Sequence, residues 1–333
     1  MTRVVIQGFG FMGKVHARCY AANPRAEVAG IVDLDPDAAC RAAHELELGD
    51  IPVAETLESV VAQTGADAAD LCLPTDAHPE AAEAAFAAGL DVFCEKPIAL
   101  NIESADRITG AAERAGKQLM IGHCVRFWPE YEALKAMVDS GEAGALLALN
   151  CERRATRPGY TKGDWISDPE RCAGAALDFH IHDADFIRHL LGEPESVFAR
   201  GVRLPSGWDH LQCSYVYGGP AVAAEGGWHY PDNWGFRMGF HALFEDGALD
   251  FDSAGEPGLR KIVGGREQNP ALERESGPLA DFEAYRRELD YFINCLESGQ
   301  PVARCTGADA TASVRLVLAE IESASTGRPI KLA

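Results

Sequence analysis

The chain reads as an α/β domain built on a parallel sheet, followed by an α+β domain with a mostly antiparallel sheet. Two patterns predict this. Apolar runs alternate with alanine-rich helical stretches up to about residue 122, and from about residue 146 strand-like runs succeed one another with only turn signals between them. A length of 333 residues is also large for a single core, so two domains are expected, 1–122 and 123–333.

The first strand, Val4 to Gln7, opens into Gly8-Phe9-Gly10-Phe11-Met12-Gly13 and then a helix-compatible segment. In such a turn the first glycine makes the tight bend, the second lets backbone approach a pyrophosphate, and the third lets helix and strand pack closely. Phosphates would sit on N–H groups at the positive helix end, which makes Gly8, Gly10, Phe11, Met12 and Gly13 candidate contacts. The second strand, Glu27 to Val32, ends in Asp33, twenty residues after Gly13. A carboxylate there accepts hydrogen bonds from the adenosine ribose hydroxyls and repels a 2′-phosphate, so NAD is expected over NADP. The neighbours Leu34 and Asp35 make a poor phosphate cradle.

Further strands are expected at Asp70 to Leu73, Asp91 to Cys94 and Gln118 to Ile121, with helices between them such as Pro79 to Ala88, closed by Gly89. The second set runs through Leu147 to Arg153, Val197 to Val202, Leu211 to Tyr217, Val222 to Trp228, Met238 to Phe244 and Ala248 to Phe251. Gly218-Gly219-Pro220 and Glu245-Asp246-Gly247 supply turns between them. The stretch Ser253 to Gly277, rich in Gly, Pro and charge, is expected to be a surface loop. Helices over about Leu279 to Glu297 and Gly307 to Ser325 close the chain.

A hydrophobic content of 47% is ample for both cores. With 51 acidic against 30 basic residues the formal charge is −21, a field that opposes nucleic acid and anionic membrane surfaces and favours small neutral partners. Met1-Thr2-Arg3 leads directly into the first strand and no apolar run reaches the roughly 18 residues of a membrane span, so a cytoplasmic protein is expected. The ten cysteines contain no CxxC pair, which points to small core residues; Cys94 and Cys124 stand out only because they adjoin motifs.

Two constellations carry candidate chemistry. Cys94-Glu95-Lys96-Pro97 falls where a parallel strand ends, the edge at which ligands bind in such sheets. Pro97 disfavours helix at Lys96, and an ammonium held there can hydrogen-bond a substrate hydroxyl and stabilise negative charge developing on its oxygen. The alternative is a solvated lysine at a turn. In Gly174-Ala175-Ala176-Leu177-Asp178-Phe179-His180-Ile181-His182-Asp183-Ala184-Asp185, a helix starting near Asp178 would put Asp178, His182, Asp185 and His189 on one face. A carboxylate one turn before a histidine orients the imidazole and raises its basicity, as a general base requires. The alternative is the polar face of a surface helix. His180 and His182 form an HxH, but residues two apart face opposite sides of a helix, and no metal is expected.

Weaker candidates complete the set. Pro74, Thr75 and His78 follow a strand and are placed along the cofactor, with Glu95 beside Lys96. His123 and Arg126 follow the last parallel strand and face a cleft, unless Arg126 forms a structural ion pair. Arg153, Arg157, Tyr160, Trp165 and Tyr230 are candidate specificity positions.

Taken in order, GFGFMG, LPTDAH, CEKP, GHCVRF, AGAALDFHIHDAD, FINCLESGQP and SASTGRPIKL resemble the glucose–fructose oxidoreductase, inositol dehydrogenase and MocA family over nearly the whole chain. The resemblance implies a Rossmann domain plus a domain with a large open-faced sheet, whose uncovered face pairs subunits into homodimers or homotetramers. It carries the family's catalytic lysine onto Lys96, and its aspartate and histidine onto Asp178 and His182. The implied reaction moves a hydride between a secondary alcohol of a sugar or cyclitol and NAD, with the roles of Lys96 and His182 interchangeable. NAD-dependent redox-neutral glycosidases and non-catalytic NAD-binding regulators are the alternatives. Ala173-Gly174-Ala175 departs from the family's three glycines, and His180 is less typical.

Overall fold

A computed structural model describes residues 1–159, 161–268, 270, 272 and 274–332. The chain forms two compact units that interleave in sequence. One comprises Met1–Cys124, a short piece ending at Trp165, and Glu275–Ala312; the other comprises Val125–Gly159, Ile166–Arg274 and the chain from Ser313 onward.

The first unit is built on six parallel strands: β1 (Thr2–Gln7), β2 (Ala26–Val32), β3 (Val53–Ala54), β4 (Ala68–Leu71), β5 (Asp91–Glu95) and β6 (Leu119–Gly122). Their spatial order is β3-β2-β1-β4-β5-β6, so the winding reverses between β1 and β4, the point where such sheets bind ligands. Val4, Val5, Ile6, Ile31, Leu71, Val92 and Phe93 are fully buried, as expected of strands covered on both faces. Helices α1 (Phe11–Ala22), α2 (Pro36–Glu45), α3 (Leu57–Thr64), α4 (His78–Ala87) and α5 (Ile102–Ala115) provide that cover. Gly30 permits the close approach of α3, because a Cβ there would fall 2.4 Å from Val60 Cγ1. The two-residue β3 is too short to leave an apolar run, and sequence patterning missed it.

The second unit holds α6 (Pro129–Ser140), β7 (Leu146–Thr156), α7 (Ile181–Leu191), β8 (Ser196–Leu204), β9 (Gly207–Val216), β10 (Ala221–Tyr230), β11 (Phe236–Phe244), β12 (Gly247–Asp252), β13 (Leu259–Val263) and β14 (Arg266–Glu267). With β15 (Ile330–Lys331) they form a nine-stranded sheet, ordered β14-β13-β12-β11-β7-β10-β9-β8-β15. All its neighbours are antiparallel except β7 and β10. The β13–β14 hairpin lies inside the stretch expected to be a loop. Its turn is Gly264-Gly265, both at positive φ (57° and 69°), a pair that frees two central turn residues from the usual steric limit.

One face of this sheet is covered by α7 and the turn before it. The other carries a shallow concavity of about 610 Å³ lined by residues such as Ala148, Asn150, Ala223 and Leu243, and Val202, Val216 and Leu243 are about half exposed. The first long segment of the first unit ends at Cys124, close to the expected 122/123, but helix α8 (Glu283–Ser298) packs on α1, so Glu275–Ala312 returns to the first unit. Its amphipathic face carries Leu289, Phe292 and Ile293, all buried, and Phe292 meets Phe93 edge to face at 5.7 Å. Among the described residues no helix is long and apolar enough to cross a membrane.

Candidate active site

In the first unit the glycine turn has the shape that a dinucleotide cradle needs. Gly8 holds φ +87°, and a Cβ there would fall 2.5 Å from the Cys72 carbonyl oxygen. A Cβ at Gly13 would fall 2.1 Å from the Gly8 carbonyl oxygen, whereas one at exposed Gly10 would meet nothing within 4 Å. Two glycines are therefore demanded by the protein's own packing, and the third keeps backbone open to a ligand. Helix α1 begins there with no side-chain cap and no acidic residue in its first turn, an end suited to an anion. At the end of β2, Asp33 Oδ2 accepts the Phe9 N–H at 2.8 Å and Oδ1 accepts the Asp35 N–H at 2.9 Å. These bonds fix the carboxylate beside the turn, so the residues present fit NAD.

The loops after β4 and β5 are tied together by His78. Its Nδ1 lies 3.0 Å from the Pro97 carbonyl oxygen and its Nε2 3.0 Å from that of Leu73. Burial pushes its imidazole below the usual histidine value. Fully enclosed, His78 braces two loops, and the expected cofactor contact is corrected on that ground. Glu95 is likewise turned inward, 6% exposed, with Oε2 accepting the Lys96 N–H at 3.1 Å. Lys96 itself is only partly buried, at the carboxyl end of β5, and the Lys96–Pro97 peptide is cis. Pro74 precedes a short 3-10 turn, Thr75–Ala77, in which Thr75 is buried. His123 is buried after β6, and Trp165 is half-buried. Tyr160 lies outside the described residues.

Sequence reading missed the group beneath this edge. His16, one turn beyond Gly13, sets Nδ1 2.8 Å from Asp70 Oδ2 and Nε2 3.1 Å from Glu95 Oε1. The second contact is oblique, a charge contact rather than a directed hydrogen bond. Cys72 Sγ lies 3.3 Å from His16 Nδ1, and Glu288 of α8 puts a carboxyl oxygen within 4.8 Å of the facing His16 and Glu95 atoms. Burial alone would lower the His16 pKa, but Asp70 and Cys72 hold it well above the usual value. Burial and neighbouring Glu95 push the Glu288 carboxyl well up. The detectable signal was period: His16 and Gly13 share the inward face of α1.

In the second unit the helix carrying Asp178 and His182 does not start as a plain α-helix. A π-helical turn, Ala176–His180, runs directly into α7, an irregularity often found at functional sites. The approach to it needs left-handed backbone at Ala173 (φ 62°) and Gly174 (φ 79°). A Cβ on Gly174 would fall 2.7 Å from the Trp208 nitrogen, so this glycine is fixed by packing. Asp178 is half-buried and His182 is 9% exposed, four residues apart across the join of π turn and α-helix.

His180 faces the other way. Its Nε2 lies 3.1 Å from Glu320 Oε2, 3.4 Å from the Tyr215 hydroxyl and 3.5 Å from Cys213 Sγ, while the Tyr215 hydroxyl donates to Glu320 Oε1 at 2.8 Å. Burial would lower its pKa, but Glu320 raises it. The expected polar face is broken up by two buried ion pairs. Arg126 donates to Asp185 at 2.8 and 2.7 Å, with Ser313 adding a bond at 2.6 Å. Arg153 donates to Asp183 at 2.8 and 3.2 Å and lies 5.9 Å from the ring centroids of Phe179 and Phe236. Both arginines are 3–4% exposed in their side chains, so they serve the fold and are corrected as substrate contacts. Three groups carry potential metal ligands, His16/Asp70/Cys72, His16/Glu95/Glu288 and His180/Cys213/Glu320; in each the histidine already pairs with a carboxylate of the group.

Residues 2–123 match the family described as "Oxidoreductase family, NAD-binding Rossmann fold", and residues 131–247 match "GFO/IDH/MocA C-terminal domain". The chain is 28% identical to an inositol 2-dehydrogenase of Rhizobium meliloti over 99% of both chains. A solved structure of a putative myo-inositol dehydrogenase from Sinorhizobium meliloti superposes with a TM-score of 0.83 at 27% identity, covering 100% of each chain. Levoglucosan dehydrogenase, solved with NADH and levoglucosan, shares the fold at a TM-score of 0.87 and 20% identity over 99% of both chains. With cradle, EKP edge and both domain matches in place, the chain belongs to the GFO/IDH/MocA oxidoreductase family and is an NAD-binding dehydrogenase acting on CH–OH groups.

Proposed function

We propose that this enzyme oxidises a secondary hydroxyl of a cyclitol or sugar, with NAD preferred over NADP. The observation that carries the reading is Lys96 at the carboxyl end of β5, on the ligand edge of the parallel sheet, in a chain similar end to end to an inositol 2-dehydrogenase. When bound, NAD would supply the hydride acceptor. Gly8, Gly10, Phe11, Met12 and Gly13 hold its pyrophosphate, and Pro74 and Thr75 lie along its nicotinamide side. Asp33, fixed by the Phe9 and Asp35 amides, accepts the adenosine ribose hydroxyls and disfavours a 2′-phosphate.

In the second unit His182, oriented by Asp178, is assigned the role of proton acceptor, and in the first unit Lys96 is assigned the stabilisation of negative charge developing on the substrate oxygen. Trp165 is retained as a substrate contact, while His123, 1% exposed, is set aside on the same ground as Arg126 and Arg153. The half-exposed Val202, Val216 and Leu243 are the surface through which copies of the chain associate into a homodimer or homotetramer.

The test is NADH formation by the purified protein over a panel of inositols, aldoses and sugar acids, with NADP in parallel. Rapid reduction of NAD with one polyol, and much slower reduction of NADP, is expected. NAD binding without turnover in either direction would overturn the reading in favour of a regulator. Cleavage of an aryl glycoside without net NADH would turn it into redox-neutral glycosidase chemistry.

A further inference from the structure

We infer that His16 is a positioning residue for Lys96, a buried imidazole that locks the strand end carrying the lysine to the helix that starts the dinucleotide turn. The inference rests on the reading of Lys96 above. Three elements meet at this one ring. His16 projects from α1, one turn past Gly13; Asp70 lies on β4; Glu95 is the last residue of β5. The ring nitrogens face different carboxylates: Nδ1 is hydrogen-bonded to Asp70 at 2.8 Å, and Nε2 makes a charge contact with Glu95 Oε1 at 3.1 Å. Glu95 passes the constraint on, because its other oxygen accepts the Lys96 N–H at 3.1 Å.

The ring is also clamped sterically. Phe93 meets it edge to face at 5.6 Å, and Tyr285 lies 6.3 Å away. All of these side chains belong to the first unit. No solvent reaches His16 or Asp70, so the imidazole cannot exchange its partners for water. Removing it would leave two carboxylates facing each other in a dry core, a costly arrangement.

Glu288 completes the enclosure. It is fully buried, and neither of its carboxyl oxygens has a hydrogen-bond donor among the described residues. A carboxyl group so placed stays protonated. Neutral, it leaves the charge on the Lys96 side of the cluster with Glu95. Burial would raise the Glu95 pKa, but His16 and Lys96 hold it below the usual value, in keeping with that division. The groups facing the ring are thus Asp70 of β4 and Cys72 just after it, Glu95 with Lys96 behind it, and Glu288 from α8 with Arg304 contributing charge.

The experiment is amide hydrogen exchange on the intact, cofactor-free enzyme, read on a peptide spanning Glu95 to Ile98. That peptide reports on the Lys96 N–H that Glu95 accepts. Variants are His16→Gln and, cutting the same link from its other end, Glu95→Gln. At least one should show Lys96 exchange accelerated by at least ~10-fold, while peptides over β1 keep wild-type protection. NAD dissociation constants should stay within about 3-fold and turnover on a polyol accepted by wild type should fall by at least ~10-fold, a loss in kcat rather than in KM. Unchanged Lys96 exchange in both variants, when folded, would overturn the inference. So would loss of β1 protection and NAD binding in step with activity, which marks a general fold support. Exchange is read without substrate or cofactor, so its outcome is separate from the fate of the Lys96 assignment, which Lys96→Met decides.

Discussion

A side-chain carbon on Gly226 of β10 would fall 2.5 Å from His180 Nδ1 and 2.8 Å from His180 Cβ, so the glycine and the histidine occupy complementary volumes. This fit presses the π turn that carries Asp178 onto the sheet. Gly226→Ala should destabilise the protein by about 1–3 kcal/mol, through overpacking of a filled core. A double-mutant cycle with His180→Gly, followed by chemical denaturation, should show a coupling of at least ~1 kcal/mol. Additive effects would mean that the two residues do not share this space.

Lys96→Met preserves length and apolar stem and removes the ammonium. Turnover should fall by at least ~100-fold with NAD affinity kept, the size expected when a charge-stabilising donor is lost. Turnover near the wild-type value would remove Lys96 from the chemistry.

Asp33→Ala removes the carboxylate that the Phe9 and Asp35 amides hold beside the glycine turn. The ratio of kcat/KM with NAD to that with NADP should drop by about 10-fold or more, mainly through weaker NAD binding. A ratio that does not move would place the discrimination elsewhere.

Glu288 and His16 both bind protons more tightly in the folded chain than free residues do. For Glu288 the unfolded carboxyl ionises near about pH 4.3, so its stability contribution is complete below that and is lost as pH rises toward its folded value. For His16 the contribution is complete below about 6.5 and is lost as pH climbs through its raised folded value. Stability should therefore decline on the alkaline side, and Glu288→Gln, which stays neutral at any pH, should flatten the curve between about pH 5 and 8. Denaturation midpoints for both proteins across that range supply the comparison. Parallel curves would show that Glu288 is ionised in the folded protein.

Much of the first unit was legible in the sequence because its signals are local. The GFGFMG turn, Asp33 at the end of β2 and Lys96 before Pro97 each depend on the few residues around them. The backbone demands on Gly8 and Gly13 leave few other choices. In the second unit the antiparallel strands were legible from runs and turns, while the β13–β14 hairpin was hidden by the charge and glycine around it.

What the sequence by itself determined is the order of the main strands and helices, the change from a parallel to a mostly antiparallel sheet, and where the chemical motifs fall along the chain. Tertiary structure alone decided which polar residues face a ligand and which face one another. Arg126 and Asp185 lie 59 positions apart and Arg153 and Asp183 30 apart, yet each pair closes a buried fork. His16 reaches Glu95, and His180 reaches Glu320, over distances along the chain that no local period encodes. Periodicity tells which face of an element is inward. Only the packed core tells which charges meet there, because a buried charge must find its partner wherever the fold brings one.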